Sequence, residues 1–316
     1  MYDRLIMRLR HKIVKQPILI AMLAIFAACQ HEETLTIPAR KLPSKKMIDA
    51  FTEVQYGNMP LMISVPHGGT LTPAEIPDRT CPGIVTEPDE FTIELLKAID
   101  SVAKTDYHVQ PYYVFTKLSR IKIDQNRSLA GGTCNNPSLA IYWNNYHSGI
   151  DTCINKITAI YPLCLFIDLH GHGHALQRLE LGYLIPGVEL RDTASINEAT
   201  SSVYNLLQHN KSLTINELLS GTNAFGTLMA DRLFPTVPSF QDSAPMAGAS
   251  YFTGGYNTRH YCSAAYPGVF GWQTEANFTG VRDNVSNRTA FAKAFMQSIM
   301  QFFSTSTSMK PADFGQ

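Results

Sequence analysis

Neither sign of charge dominates this chain of 316 residues: 26 Lys and Arg balance 26 Asp and Glu, leaving a formal net charge of zero. A nucleic-acid binder carries a basic excess gathered on one face, so no nucleic-acid partner is expected. The apolar run from Ile18 to Ala28 falls short of the roughly 20 apolar residues that a membrane helix needs. A hydrophobic content of 45% supplies a substantial core and is too low for a multi-span membrane protein. No cysteine sits in a CxxC or zinc-ribbon spacing. Cys81, Cys134, Cys153, Cys164 and Cys262 follow Cys29, and an odd set cannot pair completely within one chain. Either mostly buried thiols or one or two disulfides are expected, and the spacing does not choose between them. Internal repeats and interior linkers are also missing, which predicts a single folded domain.

What is present begins with an asymmetry at the start. Arg4, Arg8, Arg10, Lys12 and Lys15 precede the Ile18–Ala28 run, and the small residues Ala27 and Ala28 end it. Basic segment, apolar segment and small residues follow in the order of an export signal. Cys29 comes next, in a setting that resembles the lipobox of bacterial lipoproteins, with Phe26 where leucine is usual. The resemblance implies a lipoprotein signal peptide over 1–28 and lipidation of Cys29. It also implies a membrane-anchored protein in the periplasm or on the cell surface. An ordinary cleaved signal is the alternative. Residues 29–46 are polar, with Pro38 and Pro43, and read as a tether. The folded domain is expected over 47–303, followed by a polar, frayed tail over 304–316.

Within the domain, Leu61–Val65 reads as a buried strand stopped by Pro66 and the pair Gly68-Gly69. Apolar residues at Phe91, Leu95, Ala98, Ile99 and Val102 have helical spacing and predict a helix over 90–104. Further strands are expected over 108–115, 162–169, 180–185 and 268–274. Further helices are expected over 138–160, 196–207, 215–233 (interrupted near Gly221) and 285–303. Strands alternating with helices imply an α/β fold: a single domain with a central mixed, mostly parallel sheet and helices on both faces.

The chemistry concentrates where two of these strands end. The run from Phe166 to His174 breaks from apolar residues into three histidines separated by glycines. Residues at i, i+2 and i+4 of a strand share one face, so Asp168, His170 and His172 emerge together, as a metal site requires. His67 follows the Leu61–Val65 strand in the same way, and ligands of open α/β sheets gather at the carboxyl ends of strands. A catalytic zinc commonly keeps three protein ligands and one open position. Asp89, at the start of a predicted helix, is explained equally well as a third ligand or as a helix cap. Ile121 and Ile123 suggest a strand edge that delivers Asp124 and then Asn126-Arg127. A guanidinium binds carboxylate through a planar fork, so Arg127 is a candidate substrate clamp, with a structural Asp124–Arg127 ion pair as the alternative. Glu275 ends the strand over 268–274, where partial burial raises a carboxylate toward the range of a proton shuttle. A stabilising pair with Arg282 is the competing role.

Four segments occur in order: Ser64-Val65-Pro66-His67-Gly68-Gly69, Asp89-Glu90-Phe91-Thr92-Ile93-Glu94-Leu95, Asp124-Gln125-Asn126-Arg127 and Asp168-Leu169-His170-Gly171-His172. Together they resemble the N-formylglutamate amidohydrolase family, within the wider zinc carboxypeptidase and deacylase fold, over roughly residues 61 to 282. The resemblance implies a zinc-exopeptidase-like fold and a Zn2+ held by His67, Asp89 and His170. It implies Asn126 and Arg127 as a carboxylate clamp, Glu275 as the proton shuttle, and Arg178 and Arg282 at the substrate. The segments Arg178–Tyr183 and Tyr251–Tyr256 would form pocket walls, and Tyr146-His147 also resembles a family signature. The expected activity is that of an exported, zinc-dependent hydrolase of a carbon–nitrogen amide bond in a carboxylate-bearing small molecule or peptide. The export signal and the tract from His170 to His174 depart from the family form. They widen the expected substrates to peptides, N-acyl amino acids and cell-wall fragments. The rival class is a surface lipoprotein that binds a nutrient or metal without catalysis, which leaves Glu275 unexplained.

Overall fold

Mostly apolar runs such as Leu61–Val65, interrupted only by Ser64, and Cys164–Ile167 suit strands covered on both faces, because neither side of such a strand can face water. The computed structural model describes residues 45–47 and 50–315. The expected signal segment, Cys29 and most of the expected tether lie outside the described residues. Among the described residues eight strands form one sheet: β1 (Lys45–Met47), β2 (Thr52–Gln55), β3 (Leu61–Val65), β4 (Tyr112–Thr116), β5 (Cys164–His172), β6 (Leu179–Gly182), β7 (Thr236–Val237) and β8 (Val269–Asn277). Their spatial order is β1-β2-β4-β3-β5-β8-β6-β7. The central four, β4, β3, β5 and β8, run parallel. Antiparallel partners flank them on both sides, β2 against β4 and β6 against β8. The expected α/β architecture is therefore present.

Four helices matter for the site: α1 (Thr92–Tyr107), α2 (Ala140–Thr158), α3 (Tyr256–Tyr261) and α4 (Val285–Ser306). The register shows which face each covers. Phe166 of β5 meets Tyr261 of α3, with ring centroids 5.1 Å apart. Trp272 of β8 meets Phe302 of α4 at 5.6 Å. Strand residues alternate between faces, so Phe166, Asp168 and His170 look toward α3. Ile167, paired with Trp272, looks toward α4. Helix α2 lies across β2, β3, β4 and β5, and α1 packs on α4.

The chain passes from β3 to β4 on one side of β3, then returns to place β5 on the other. The strand order therefore reverses between β3 and β5, the point at which open α/β sheets form a crevice beyond the carboxyl ends of their strands. His67 leaves β3 at that place and His170 lies near the end of β5.

Several local expectations give way. Residues 119–127 form turns rather than a strand edge. Ile123 packs in a small cluster with Ile76, Leu118 and Leu139, and Lys122 is drawn in by Ile76 O at 2.7 Å and Asp78 at 2.6 Å. The predicted helix over 196–207 is mostly short 3-10 turns before Tyr204–His209. The tail does not fray at residue 304: α4 continues to Ser306, and Met309 and Phe314 are buried. The Phe314 ring sits edge-on to Tyr161 and Phe303. Among the described residues one disulfide, Cys81–Cys134, closes a separation of 53 residues, while Cys153, Cys164 and Cys262 are buried free thiols. Closing a loop of that length contributes about 4 kcal/mol in the chain-entropy account.

Candidate metal centre and its cavity

His67 and His170 each use one imidazole nitrogen to bind a buried aspartate. His67 Nε2 donates to Asp124 Oδ1 at 2.7 Å, and His170 Nε2 donates to Asp168 Oδ2 at 2.9 Å. With Nε2 engaged, Nδ1 of each ring is the nitrogen left to coordinate a metal. Both Nδ1 atoms turn to the same carboxylate oxygen, Asp89 Oδ2, at 3.4 Å from His67 and 2.9 Å from His170. The rings lie 4.8 Å apart at 70°. His67 Nδ1 is buried and makes no hydrogen bond among the described residues. One ligand atom from each of His67, Asp89 and His170 lies within 4.8 Å of the others. Two imidazoles and one carboxylate form a donor set suited to catalytic zinc, and a carboxylate behind each ligating histidine fixes its ring and tautomer. The residues present therefore fit a zinc ion.

The local electrostatics follow from burial and pairing. Burial raises the Asp89 carboxyl, but His67 and His170 outweigh it and hold the pKa well below the usual carboxylate range. Asp124 behaves alike: burial opposes its charge, and His67, Arg120 and Arg79 overcome that. Burial disfavours the charged form of His170, yet Asp168 and Asp89 raise its pKa well above the ordinary value.

The structure separates the two roles open to Asp89. Helix α1 begins at Thr92, and both the N–H and Oγ1 of Thr92 are received by the Asp89 backbone carbonyl. The carboxylate itself does not cap the helix; it faces the two imidazoles and accepts the Gly171 N–H at 3.3 Å. Gly68 makes this turn possible, since a Cβ there would come within 2.5 Å of Thr92 Oγ1.

Glu275 is carried to the same place by register, because His170 and Glu275 are direct partners across the parallel β5–β8 pair. Paired residues of a parallel ladder project from one face. Burial, joined by the neighbouring Asp89 charge and opposed by His170, pushes the Glu275 pKa up to about 7. Gln273 Nε2 donates to Glu275 Oε1 at 2.7 Å.

These groups open onto a cavity of about 590 Å3 lined also by Arg120, Asn126, Arg127, Arg259, Gln273 and the segment Tyr251–Tyr256. Arg127 is 56% exposed, with Nε 3.7 Å from Asp124 Oδ2. Asn126 is fixed deeper: its Oδ1 accepts the Asn257 N–H at 2.8 Å, and Nδ2 lies 3.2 Å from His170 Nε2. Arg178 and Arg282, expected at the substrate, lie outside this lining. Arg178 pairs with Asp242 at 2.7 Å. Arg282 is buried and donates to the carbonyls of Ala276, Glu90 and His172, fastening the ends of β5 and β8 to the Asp89 turn. A guanidinium spent on backbone carbonyls is a brace.

His172 shares the face of His170 but has no free nitrogen: Nε2 donates to Arg178 O at 2.8 Å and Nδ1 accepts the His174 N–H at 3.0 Å. His147 is buried between aromatic rings, stacked on Trp143 at 3.7 Å, and burial lowers its pKa to about 3. Sequence reasoning did not assign Asp124 and Asp168 as the groups that orient the histidines, nor Arg120, Arg259 and Gln273 to the cavity. The signal for Asp168 was present: an aspartate two residues before a strand-end histidine lies on the same face.

No protein-family model matches the chain, and no curated protein sequence does. Solved structures similar to it include an N-formylglutamate amidohydrolase from Ralstonia eutropha JMP134, at 12% identity and a TM-score of 0.49, covering 81% of this chain and 98% of that one. A gene product from Agrobacterium tumefaciens is similar at 9% identity and a TM-score of 0.44, over 82% and 96% of the two chains. A succinylglutamate desuccinylase from Chromobacterium violaceum follows at 12% identity and 0.35, over 84% and 71%. At this distance neither activity nor substrate passes from those proteins to this chain.

Two predictions arise from the site. Asp124→Asn keeps the volume but weakens the anchor of His67, so zinc affinity should fall about 10–100-fold in a chelator competition, with near-ultraviolet circular dichroism unchanged. An unaltered affinity would remove Asp124 from that role. Glu275 titrates near 7 in the fold against 4.5 ordinarily. Its neutral form stabilises the fold fully below pH 4.5, and that contribution is lost as pH rises through 7. Above pH 7 the buried carboxylate costs on the order of 3 kcal/mol relative to the acid. In chelator, Glu275→Gln should therefore unfold at higher urea than the parent at pH 8 and close to it at pH 4.5. Equal gaps at both pH values would contradict the raised pKa.

Proposed function

We propose that this protein is an exported, zinc-dependent hydrolase of a carbon–nitrogen amide bond in a substrate that carries a carboxylate. The observation that supports it most is a single one: His67 and His170 share Asp89 at one end of a cavity, while Glu275, with a pKa near 7, stands beside His170. His67, Asp89 and His170 would hold the metal. When bound in such a three-ligand site, zinc polarises a carbonyl and makes water a nucleophile near neutral pH.

The chain's own groups supply the rest. Glu275 as carboxylate accepts the proton of the attacking water, and as acid returns it to the leaving nitrogen, a cycle that a pKa near the working pH serves best. Gln273 holds Glu275 Oε1 and so limits where the proton is taken. Arg127 presents its guanidinium to the cavity and would take the substrate carboxylate through its planar fork, setting the distance from carboxylate to scissile bond. A binder without catalysis leaves Glu275, the register partner of His170 at the cavity, without a role, which favours the hydrolase.

Export rests on the basic and apolar segments before Cys29. The Cys81–Cys134 disulfide supports it, because such bonds persist mainly outside the reducing cytosol. Membrane anchoring would come through lipid on Cys29.

His170→Ala should lose stoichiometric zinc and hydrolysis of formyl-, acetyl- and peptidyl-amino acids together, read by metal analysis and amine release. Retention of both by the purified variant, or tight zinc in the parent with no member of the panel cleaved, would sink the proposal. For the anchor, metabolic labelling with palmitate should mark the parent and leave Cys29→Ser unlabelled; equal labelling would exclude Cys29.

A further inference from the structure

His174 and Glu180 lie beyond the candidate metal centre and take no part in the reaction described above. Glu180 is fully buried on the face that carries Glu275, its partner in the β6–β8 register. Its two oxygens are divided between two tasks. Oε1 lies 2.9 Å from His174 Nδ1, and Oε2 accepts the Phe252 N–H at 2.9 Å. The His174 ring in turn stacks on the Phe252 ring, with centroids 4.7 Å apart and planes 6° from parallel. His174 is itself tied at its N–H by His172 and at its carbonyl by Gln177 Nε2 at 2.8 Å.

The strap that carries Phe252 is fastened on either side. Tyr251 Oη donates to Leu181 O at 2.6 Å, and Leu184 N–H donates to Thr253 O at 2.6 Å. Gly182 allows the strap to lie against β6, since a Cβ there would come within 2.5 Å of Gly254 N. Phe252 is thus gripped at its backbone and on one ring face, yet it remains 41% exposed and lines the cavity. An exposed aromatic ring ordered in advance binds with little further loss of freedom. Burying a carboxylate is unfavourable unless its partners are well organised, and Glu180 organises this ring.

We propose that Phe252 is a specificity-determining platform, held by His174 and Glu180 as positioning residues, against which an aromatic side chain of the substrate stacks. The inference rests on the hydrolase reading and narrows its substrate class to N-acyl aromatic amino acids or peptides with an aromatic residue beside the scissile amide. A carboxylate at Arg127 and a ring at Phe252 would share the one cavity.

Binding to zinc-loaded Glu275→Gln protein, measured by calorimetry, tests this without turnover. N-formylphenylalanine should bind about tenfold more tightly than N-formylalanine. Adding Phe252→Ala should erase that ratio, and Phe252→Tyr should restore it. In the otherwise unaltered enzyme, His174→Ala should raise KM for the phenylalanine compound several-fold, with kcat for the alanine compound unchanged. Tighter binding of N-formylglutamate than of N-formylphenylalanine, as a cavity ruled by Arg120 and Arg259 would give, overturns the proposal. So does a phenylalanine preference that survives Phe252→Ala, or no binding of either compound. Failure of the hydrolase reading looks different: the aromatic preference would persist in calorimetry while the wild-type protein cleaves nothing.

Discussion

The hydrogen bonds from His67 Nε2 to Asp124 and from His170 Nε2 to Asp168 set the orientation of both imidazoles, and everything else in the cavity is arranged around that choice. Neither aspartate is left with an idle oxygen. Asp124 also receives the Asn126 N–H and Arg120 Nε, and Asp168 receives Ser64 Oγ and Asn257 Nδ2. Buried carboxylates are tolerated only when satisfied in this way. Residues from β3, β5, α3 and the 119–127 turn are thus tied together through two side chains. The inner nitrogens then point the only way left to them, at Asp89.

Glu275 stands in tension with that arrangement. The parallel register sets it beside His170, in a setting too dry to favour a carboxylate and near another negative charge at Asp89. A group kept on the edge of ionisation is poor for stability and useful for proton transfer, a trade common at active sites. Arg282 bears on the same region from outside the cavity, bracing the strand ends by three carbonyls without contributing a charge to the lining.

Much of this was legible in the sequence where a physical pattern was long enough to be unambiguous. The strands β3, β5 and β8 announce themselves by short runs rich in apolar residues, Leu61–Val65, Cys164–Ile167 and Val269–Trp272, and α1, α2 and α4 by helical periodicity. His67 and His170 stand out because each follows such a run. The turn around Asp124 was misread because two isoleucines are too short a pattern to establish a strand, and its shape depends on partners far along the chain. Strand β2 was missed because Thr52, Glu53 and Gln55 look like surface residues yet are buried. Asp89 stayed ambiguous for a different reason. Cap and ligand need the same residue at the same place, and only the direction of its carboxylate separates them. The destinations of Arg178 and Arg282 are likewise set by tertiary packing, which no local spacing encodes.

The bond between Cys81 and Cys134 has a mechanical side. One cysteine lies in the long loop that leads from His67 to Asp89, the other just past the turn that bears Asp124 and Arg127. The loop whose ends give the cavity His67 and Asp89, and the turn that gives it Asn126 and Arg127, are thereby sewn to each other. A displacement of either stretch is therefore passed to the other through a covalent bond.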